Sequence, residues 1–275
     1  MRVYISVDME GIAGVNASKP TERGHDAYPR SAALMTGEAN AAIEGAFDAG
    51  AEEVVVNDSH GRMYNLPPED LDGRARLVQG IKAWSMVEAA AIGQFDVALF
   101  VGYHTRAGHP RGTLAHTYTG GPTLTTLAGR PTGEYGINAL YLGALGVPVG
   151  MVAGDDALAE EVAGWLPWAE RVVVKRAISW QAAEAPHPAR ARELVREGAQ
   201  RAVENARDGA LEPLRLDPPI EVGIDFRHGG QADLAGLIPG FRREGDRGVR
   251  YTAAEGVEAY RAFVSAVRMA TLAEE

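Results

Sequence analysis

The chain is expected to fold as an α/β protein: a mostly parallel sheet with helices on both faces, plus a smaller C-terminal α+β subdomain. Three observations carry this expectation. Short, continuously apolar runs rich in β-branched residues recur at 2–7, 53–57, 97–101, 147–152 and 171–175, as strands buried on both faces require. Segments with helical character separate them, and the first of these stops at Gly50. Beyond residue 180 the pattern changes to a long charged helix, a proline-rich stretch and isolated strands.

The elements follow in order. Arg2-Val3-Tyr4-Ile5-Ser6-Val7 is a short buried strand. A polar loop and a helix over roughly 31–49 come next. Glu53-Val54-Val55-Val56-Asn57 is the second strand and runs into Asp58-Ser59-His60. A short helix near 84–92 precedes the strand Val97–Val101, which ends in Gly102-Tyr103-His104. A helix over about 134–145 leads to the strand 147–152 and the turn Gly154-Asp155-Asp156, whose aspartates suit the cap of the next helix. Arg171 to Lys175 is the last strand of this set.

In the C-terminal third a charged helix spans about 188–207, with Arg192 and Arg196 placed to pair with Glu193 and Glu197. The stretch Glu212–Pro219 leads to the strand Ile220–Phe226, a loop, a strand near 249–253 and a final helix over about 255–272. The expected division is an α/β site-bearing domain, 1–180, and an α+β subdomain, 181–275, packed on it closely enough to count as one domain. No internal repeat or low-complexity segment stands out.

Bulk properties narrow the function. A chain of 275 residues can bury a large core, and a net charge of −10 is the wrong sign for a nucleic-acid footprint. There are three lysines, Lys19, Lys82 and Lys175, so positive charge is mostly arginine. The absence of cysteine excludes disulfides, thiolate metal sites and cysteine nucleophiles. The first residues enter a strand without a basic and apolar leader, and no apolar run nears the ~18 residues of a membrane helix, so a cytoplasmic protein is expected.

Chemistry collects at the strand ends. Side chains alternate along a strand, so Asp8 and Glu10 should point the same way. Two carboxylates so placed repel unless a cation lies between them, and a divalent metal is the common choice. His60 and His104 follow the second and third strands, and Glu134 opens a helix. Ligand crevices of open α/β sheets lie outside the carboxyl ends of the strands, where these residues converge. Five ligands with one bridging carboxylate suit two metals with three protein bonds each. All-N/O ligation favours zinc, manganese or cobalt, and such a pair can activate water and polarise a carbonyl. Asn57 and Asp58 read as turn formers. His25, His109, His187 and His228 read as solvated loop residues, and Gly120-Gly121 and Gly229-Gly230 are too weak for phosphate loops.

Ser-Val-Asp-Met-Glu-Gly (6–11), Val-Asn-Asp-Ser-His (56–60), Gly-Tyr-His (102–104) and Gly-Glu-Tyr-Gly-Ile-Asn-Ala (133–139) closely resemble the D-aminopeptidase family of dipeptide-operon zinc peptidases. So do Val-Ala-Gly-Asp-Asp (152–156) and Gly-Gln-Ala (230–232). The likeness is collinear over nearly the whole chain and strongest over 1–160. It implies two zinc ions per subunit, with Mn or Co as substitutes, bridged by Asp8 and completed by Glu10, His60, His104 and Glu134. It aligns His116, in Leu114-Ala115-His116-Thr117-Tyr118, with the family's catalytic histidine, described there as a nucleophile. The flanking residues here depart from the serines of the family pattern. An imidazole that shuttles a proton or stabilises an oxyanion suits the chemistry better than an acyl-imidazole.

The resemblance implies an aminopeptidase that removes N-terminal residues, D-Ala or Gly among them, from short peptides by metal-activated hydroxide. It implies a homo-oligomer, with a decameric ring around a chamber as one arrangement. Two other readings stay open at this point: a dimetal hydrolase of another amide or ester, and a metal-stabilised peptide-binding protein without turnover.

Overall fold

The computed structural model describes residues 1–274. The chain forms β1 (Arg2–Val7), α1 (Tyr28–Asp48), β2 (Glu53–Asp58), β3 (Arg76–Val78) and β4 (Val97–Val101). There follow β5 (Pro122–Leu127), β6 (Arg130–Pro131), α2 (Glu134–Ala144), β7 (Val149–Asp155) and α3 (Asp156–Trp165). Next come β8 (Glu170–Ser179), β9 (Ala182–Glu184), α4 (Pro188–Arg207) and β10 (Ile220–Phe226). The chain ends with α5 (Gly229–Gly236), β11 (Arg242–Glu244), β12 (Gly248–Ala253) and α6 (Gly256–Thr271).

Seven strands make the main sheet in the order β3-β2-β1-β4-β7-β8-β9, parallel except for the β8–β9 pair. Alternation along its strands builds two cores. Val3, Ile5, Val7, Val54, Val56, Leu99 and Val101 face α1 and α4. Tyr4, Val55, Ala98, Phe100 and Val152 face the other way, into a core shared with α2, α6 and the second sheet. Both faces are apolar because both are covered, which is why the strands read as continuous hydrophobic runs. α1 buries Ala32, Met35, Ala39, Ala42, Ile43 and Ala46 at helical spacing. It lies so close to α4 that a Cβ on Gly45 would sit 2.2 Å from the Arg196 carbonyl oxygen.

The second layer is an antiparallel sheet, β11-β12-β10-β5-β6, covered by α5 and α6. The two sheets interleave in the chain, and the expected boundary at 180 and 181 is crossed in both directions. β5 and β6 come early yet pair in the antiparallel sheet, and α4 comes late yet packs on α1, β7 and β8. The short helix expected near 84–92 is a 3-10 segment, Glu88–Ile92. The region after β10, expected as a loop, contains α5 and β11. Arg196 pairs with Asp48 of α1 at 2.6 Å, and within α4 it is Arg190 that pairs with Glu193 and Glu197. Arg196 and Glu197 are adjacent in sequence and do not face each other on a helix, whereas α1 packs along α4 and presents Asp48 to Arg196.

Register positions the site. Val7 of β1 lies level with Asp58 of β2 and Val101 of β4, so the three strands stop together and release their loops at one edge. No helix among the described residues is long and apolar enough to cross a membrane.

Candidate metal centre

β1 ends at Val7, so Asp8 and Glu10 are carried by a turn and not by strand pleating. They still converge, because the turn stays tied to β4. Asp8 N–H donates to the Val101 carbonyl at 2.8 Å, and Gly11 N–H to the Gly102 carbonyl at 2.7 Å. The loops touch where no side chain would fit: a Cβ on Gly11 would lie 1.9 Å from the Tyr103 carbonyl oxygen. Just after β2, Ser59 N–H donates to the Val7 carbonyl at 2.9 Å, which sets His60 beside this turn.

The structure brings together every residue expected at the site. His60 Nδ1 lies 3.2 Å from Asp8 Oδ1 and 3.0 Å from Glu10 Oε2. His104 Nε2 lies 3.5 Å from Asp8 Oδ2 and 3.3 Å from Glu134 Oε1. His116 Nε2 lies 3.7 Å from Glu134 Oε1, and its ring stacks on that of His104 with centroids 4.0 Å apart. Asp8, Glu10, His104 and Glu134 are buried. Asp8 stands between two halves, one oxygen toward His60 and the other toward His104.

All three imidazoles are oriented in the same manner. His60 Nε2–H donates to the Thr21 carbonyl at 3.0 Å. His104 Nδ1–H donates to Thr105 at 2.9 Å, and His116 Nδ1–H donates to Leu114 at 2.8 Å. With those protons placed outward, the remaining nitrogens present lone pairs to carboxylates. Lone pair facing carboxylate is repulsive unless a cation intervenes, and an outward N–H held by a carbonyl is the usual support of a metal-binding histidine. His104 Nε2 is buried with no hydrogen-bond partner. The donors of Asp8, Glu10 and His104 lie within 4.8 Å of one another, as do those of His104, His116 and Glu134. Carboxylates and imidazoles without thiolates fit zinc and similar divalent ions.

Charge balance tells the same story. Burial and the neighbouring Glu10 charge push the Asp8 carboxyl up to about 7. Burial also opposes ionisation of Glu10 and Glu134, yet His60 and His104 hold them below the usual carboxylate range. Burial disfavours a charged imidazole, but Glu10 and Asp8 raise His60 well above its ordinary value, and Glu134 and Asp8 push His104 up to about 10. Without metal, protons on these two rings serve as the cations. Burial and the adjacent His104 charge lower His116, which stays neutral.

Asp8, Glu10, His60, His116 and Glu134 line a cavity of about 110 Å³, together with Ser59, Met63, Met86 and Tyr118. Asp58 accepts from the N–H groups of Asn65 and Leu66 and braces the loop carrying His60, in keeping with its reading as a turn former. Asp155 caps α3 by accepting from Leu158 N–H at 2.8 Å, and His187 caps α4. His109 Nδ1 accepts from two backbone N–H groups of its own loop, and His25 and His228 are exposed.

Several residues of the site have no sequence signal. Tyr118 N–H donates to Glu134 Oε1 at 2.6 Å, and Tyr118 adopts a left-handed φ of 62°. Leu114, on the other side of His116, has φ 53°. Such non-glycine conformations cost energy and survive where the surroundings impose them. Behind the ligands a buried chain links Ser59, Ser6, Tyr103, Asn138 and Tyr118 through their side chains. Ser6, a hydroxyl inside an apolar strand, is the one hint of it in the sequence.

Known proteins share this arrangement of chain. The family model described as D-aminopeptidase matches residues 1–265. A D-aminopeptidase of Bacillus subtilis (strain 168) is 39% identical over 272 residues, 98% of each chain. A solved structure, the Zn-dependent D-aminopeptidase DppA from Bacillus subtilis, described as a self-compartmentalizing protease, aligns with TM-score 0.93 and 38% identity over 98% of each chain. On the family match and this identity across almost its full length, the chain belongs to the D-aminopeptidase family and is an aminopeptidase, a hydrolase of peptide bonds.

Proposed function

We propose that this chain is a dinuclear zinc aminopeptidase that removes N-terminal residues, D-Ala or other small D-residues, from short peptides. The observation that carries this reading is the shared orientation of three imidazoles, each anchored to a carbonyl and each aiming its free nitrogen at a cluster of three buried carboxylates. Asp8, Glu10, His60, His104 and Glu134 would hold the metals, with Asp8 as the bridge because its two oxygens face different halves of the site. Bound zinc would supply Lewis acidity for the peptide carbonyl and would acidify water.

The chain's own residues supply the rest. Tyr118 N–H fixes Glu134, which sits at the N-terminus of α2, where the helix dipole favours its negative charge. His116 is neutral, holds its Nδ1 proton against Leu114, and turns Nε2 into the cavity. That nitrogen takes up a proton and returns it to the leaving amine, the work of a general acid and base. The small cavity supports a small N-terminal side chain. The relatives' activity supports the D configuration, and the self-compartmentalizing relative supports a homo-oligomer; the decameric ring rests on the family resemblance of the sequence alone. Exposed Ile178 and Trp180, next to the His116 loop through the Trp180–Leu114 hydrogen bond, offer apolar surface for such an assembly.

The test is elemental analysis of protein purified without chelator, run beside assays on D-Ala and L-Ala p-nitroanilides. Two zinc per subunit with turnover of the D substrate is expected. Turnover of the L substrate alone, or full activity in metal-free protein, would sink the proposal.

A further inference from the structure

Lys175 is 2% exposed. Among the described residues its ammonium has no carboxylate within 4.0 Å, and it donates to three backbone carbonyls instead: Glu10 at 2.5 Å, Val15 at 2.6 Å and Ile12 at 3.3 Å. A buried cation with no carboxylate in direct contact is expensive, and the charges of Asp155, Glu38 and Glu10 offset its burial only from a distance. Here all three of its N–H protons go to one segment, the turn that leaves β1 and carries Glu10.

The strand is distorted to put it there. Along β8, Val172 points in, Val173 out and Val174 in, so regular alternation would send Lys175 to solvent. The register shifts at this point: Gly154 pairs with Val173, and the next residue, Asp155, pairs with Lys175. The extra residue is a β-bulge, a feature that re-aims a side chain and is common beside active sites. From another side, Glu38 of α1 accepts from Ala13 N–H at 2.8 Å. The segment 10–15 is thus gripped from β8 and from α1. The tightest grip is on the carbonyl of Glu10, whose carboxylate leaves in the direction of His60, 3.0 Å away.

We propose that Lys175 is a positioning residue of the metal centre: it pins the Glu10–Val15 segment so that the Glu10 carboxylate is held ready for a divalent cation. This rests on the reading of Glu10 as a ligand. Lys175→Met keeps the length and apolar stem and removes the three donors. The full-length protein is titrated with zinc against a chromophoric chelator, and thermal midpoints are taken with and without zinc.

The expected result is a 10- to 100-fold weaker affinity for at least one zinc, the usual loss when the support of a ligand is removed. The zinc-induced rise in midpoint shrinks with it, and kcat falls more than KM rises. A purely structural lysine would lower both midpoints alike and leave zinc affinity at the wild-type value; that result overturns the proposal. If Lys175→Met does not fold, Lys175→Gln, which keeps an amide donor, carries the same titration with an intermediate loss expected. If neither folds, the lysine serves the fold and the proposal falls. Glu10→Ala separates the two readings. If it binds zinc like wild type, Glu10 is no ligand and both readings fail; if it loses zinc while Lys175→Met does not, the role of Lys175 alone is refuted.

Discussion

The two parts of the site are held in different ways. Asp8, Glu10, His60 and His104 leave the ends of three paired strands whose register fixes where they emerge, and His104 is 1% exposed. His116 comes from a loop between β4 and β5, and its side chain is 29% exposed. Its position depends on two left-handed residues, Leu114 and Tyr118, and on a hydrogen bond from Leu114 N–H to the Trp180 carbonyl. A metal demands a fixed set of donors, which a sheet edge supplies. A proton carrier must meet both a substrate and solvent, which a partly exposed loop permits. The contrast predicts that damage to the first part removes metal and that damage to the second removes turnover.

Asp8→Ala is the most severe test of that division. If Asp8 bridges two metals as proposed, its loss should strip both and lower kcat/KM by at least about 10³-fold, the equivalent of several kcal/mol of lost Lewis-acid stabilisation. Zinc counted per subunit, alongside the peptidase assay, decides the matter. Retention of both zinc ions and full activity would remove Asp8 from the site.

His116→Ala should lower kcat by about 10²- to 10⁴-fold, the range of general acid–base catalysis, while zinc content stays at the wild-type value. The donors of His116 lie within 4.8 Å of those of His104 and Glu134, so a real alternative exists. If the variant loses a zinc as well, His116 is a ligand and the contrast between sheet and loop collapses.

Protonation gives a third comparison, between the metal-free and the zinc-loaded protein. The carboxylates raise His60 and push His104 up to about 10, so both rings are charged at pH 7 when no metal is present. A raised folded pKa contributes stability in full below the unfolded value, about 6.5, and that stability is lost as pH rises through the folded value. Chelator-stripped protein should therefore lose stability between pH 7 and 10, and zinc-loaded protein should not lose it in the same way. On the proposed ligand set zinc displaces these protons and the fraction of a proton held by Asp8, so its affinity should rise with pH and about two to three protons should be released per subunit at pH 7. Denaturation midpoints across that range and calorimetry in two buffers would detect both. Equal pH profiles for the two forms would mean that the rings are neutral without metal.

The same contrast governs what could be read from the sequence. The five parallel strands were legible because each is buried on both faces and reads as an unbroken apolar run, as Val97–Val101 does. Once they were placed, Asp8, Glu10, His60 and His104 followed from topology. β5, with the sequence Pro-Thr-Leu-Thr-Thr-Leu, is half-polar and hid in a loop, and with it the origin of the second sheet. Three-residue strands such as β3, β9 and β11 are too short to leave a pattern. His116 came from family likeness alone, since left-handed residues at Leu114 and Tyr118 have no signature when the residues are not glycine. Lys175 stood at the end of a strand with nothing to show that a bulge would turn it inward. Register is written in hydrophobic periodicity; bulges and strained turns are imposed by the packing around them.

Tyr118→Phe is the mildest change and asks how far the loop depends on its side chains. The Tyr118 hydroxyl donates to Asn138 Oδ1 at 2.7 Å, and the Tyr118 backbone N–H donates to Glu134. Phenylalanine keeps the N–H and the ring packing on Phe263 but leaves Asn138 Oδ1 without its donor in a buried setting. That loss should destabilise the protein by about 1–3 kcal/mol. Because the N–H to Glu134 remains, zinc content should not change and kcat should fall only several-fold. A loss of activity as large as that of His116→Ala would mean that the hydroxyl network, and not the backbone turn, holds the loop in its catalytic geometry.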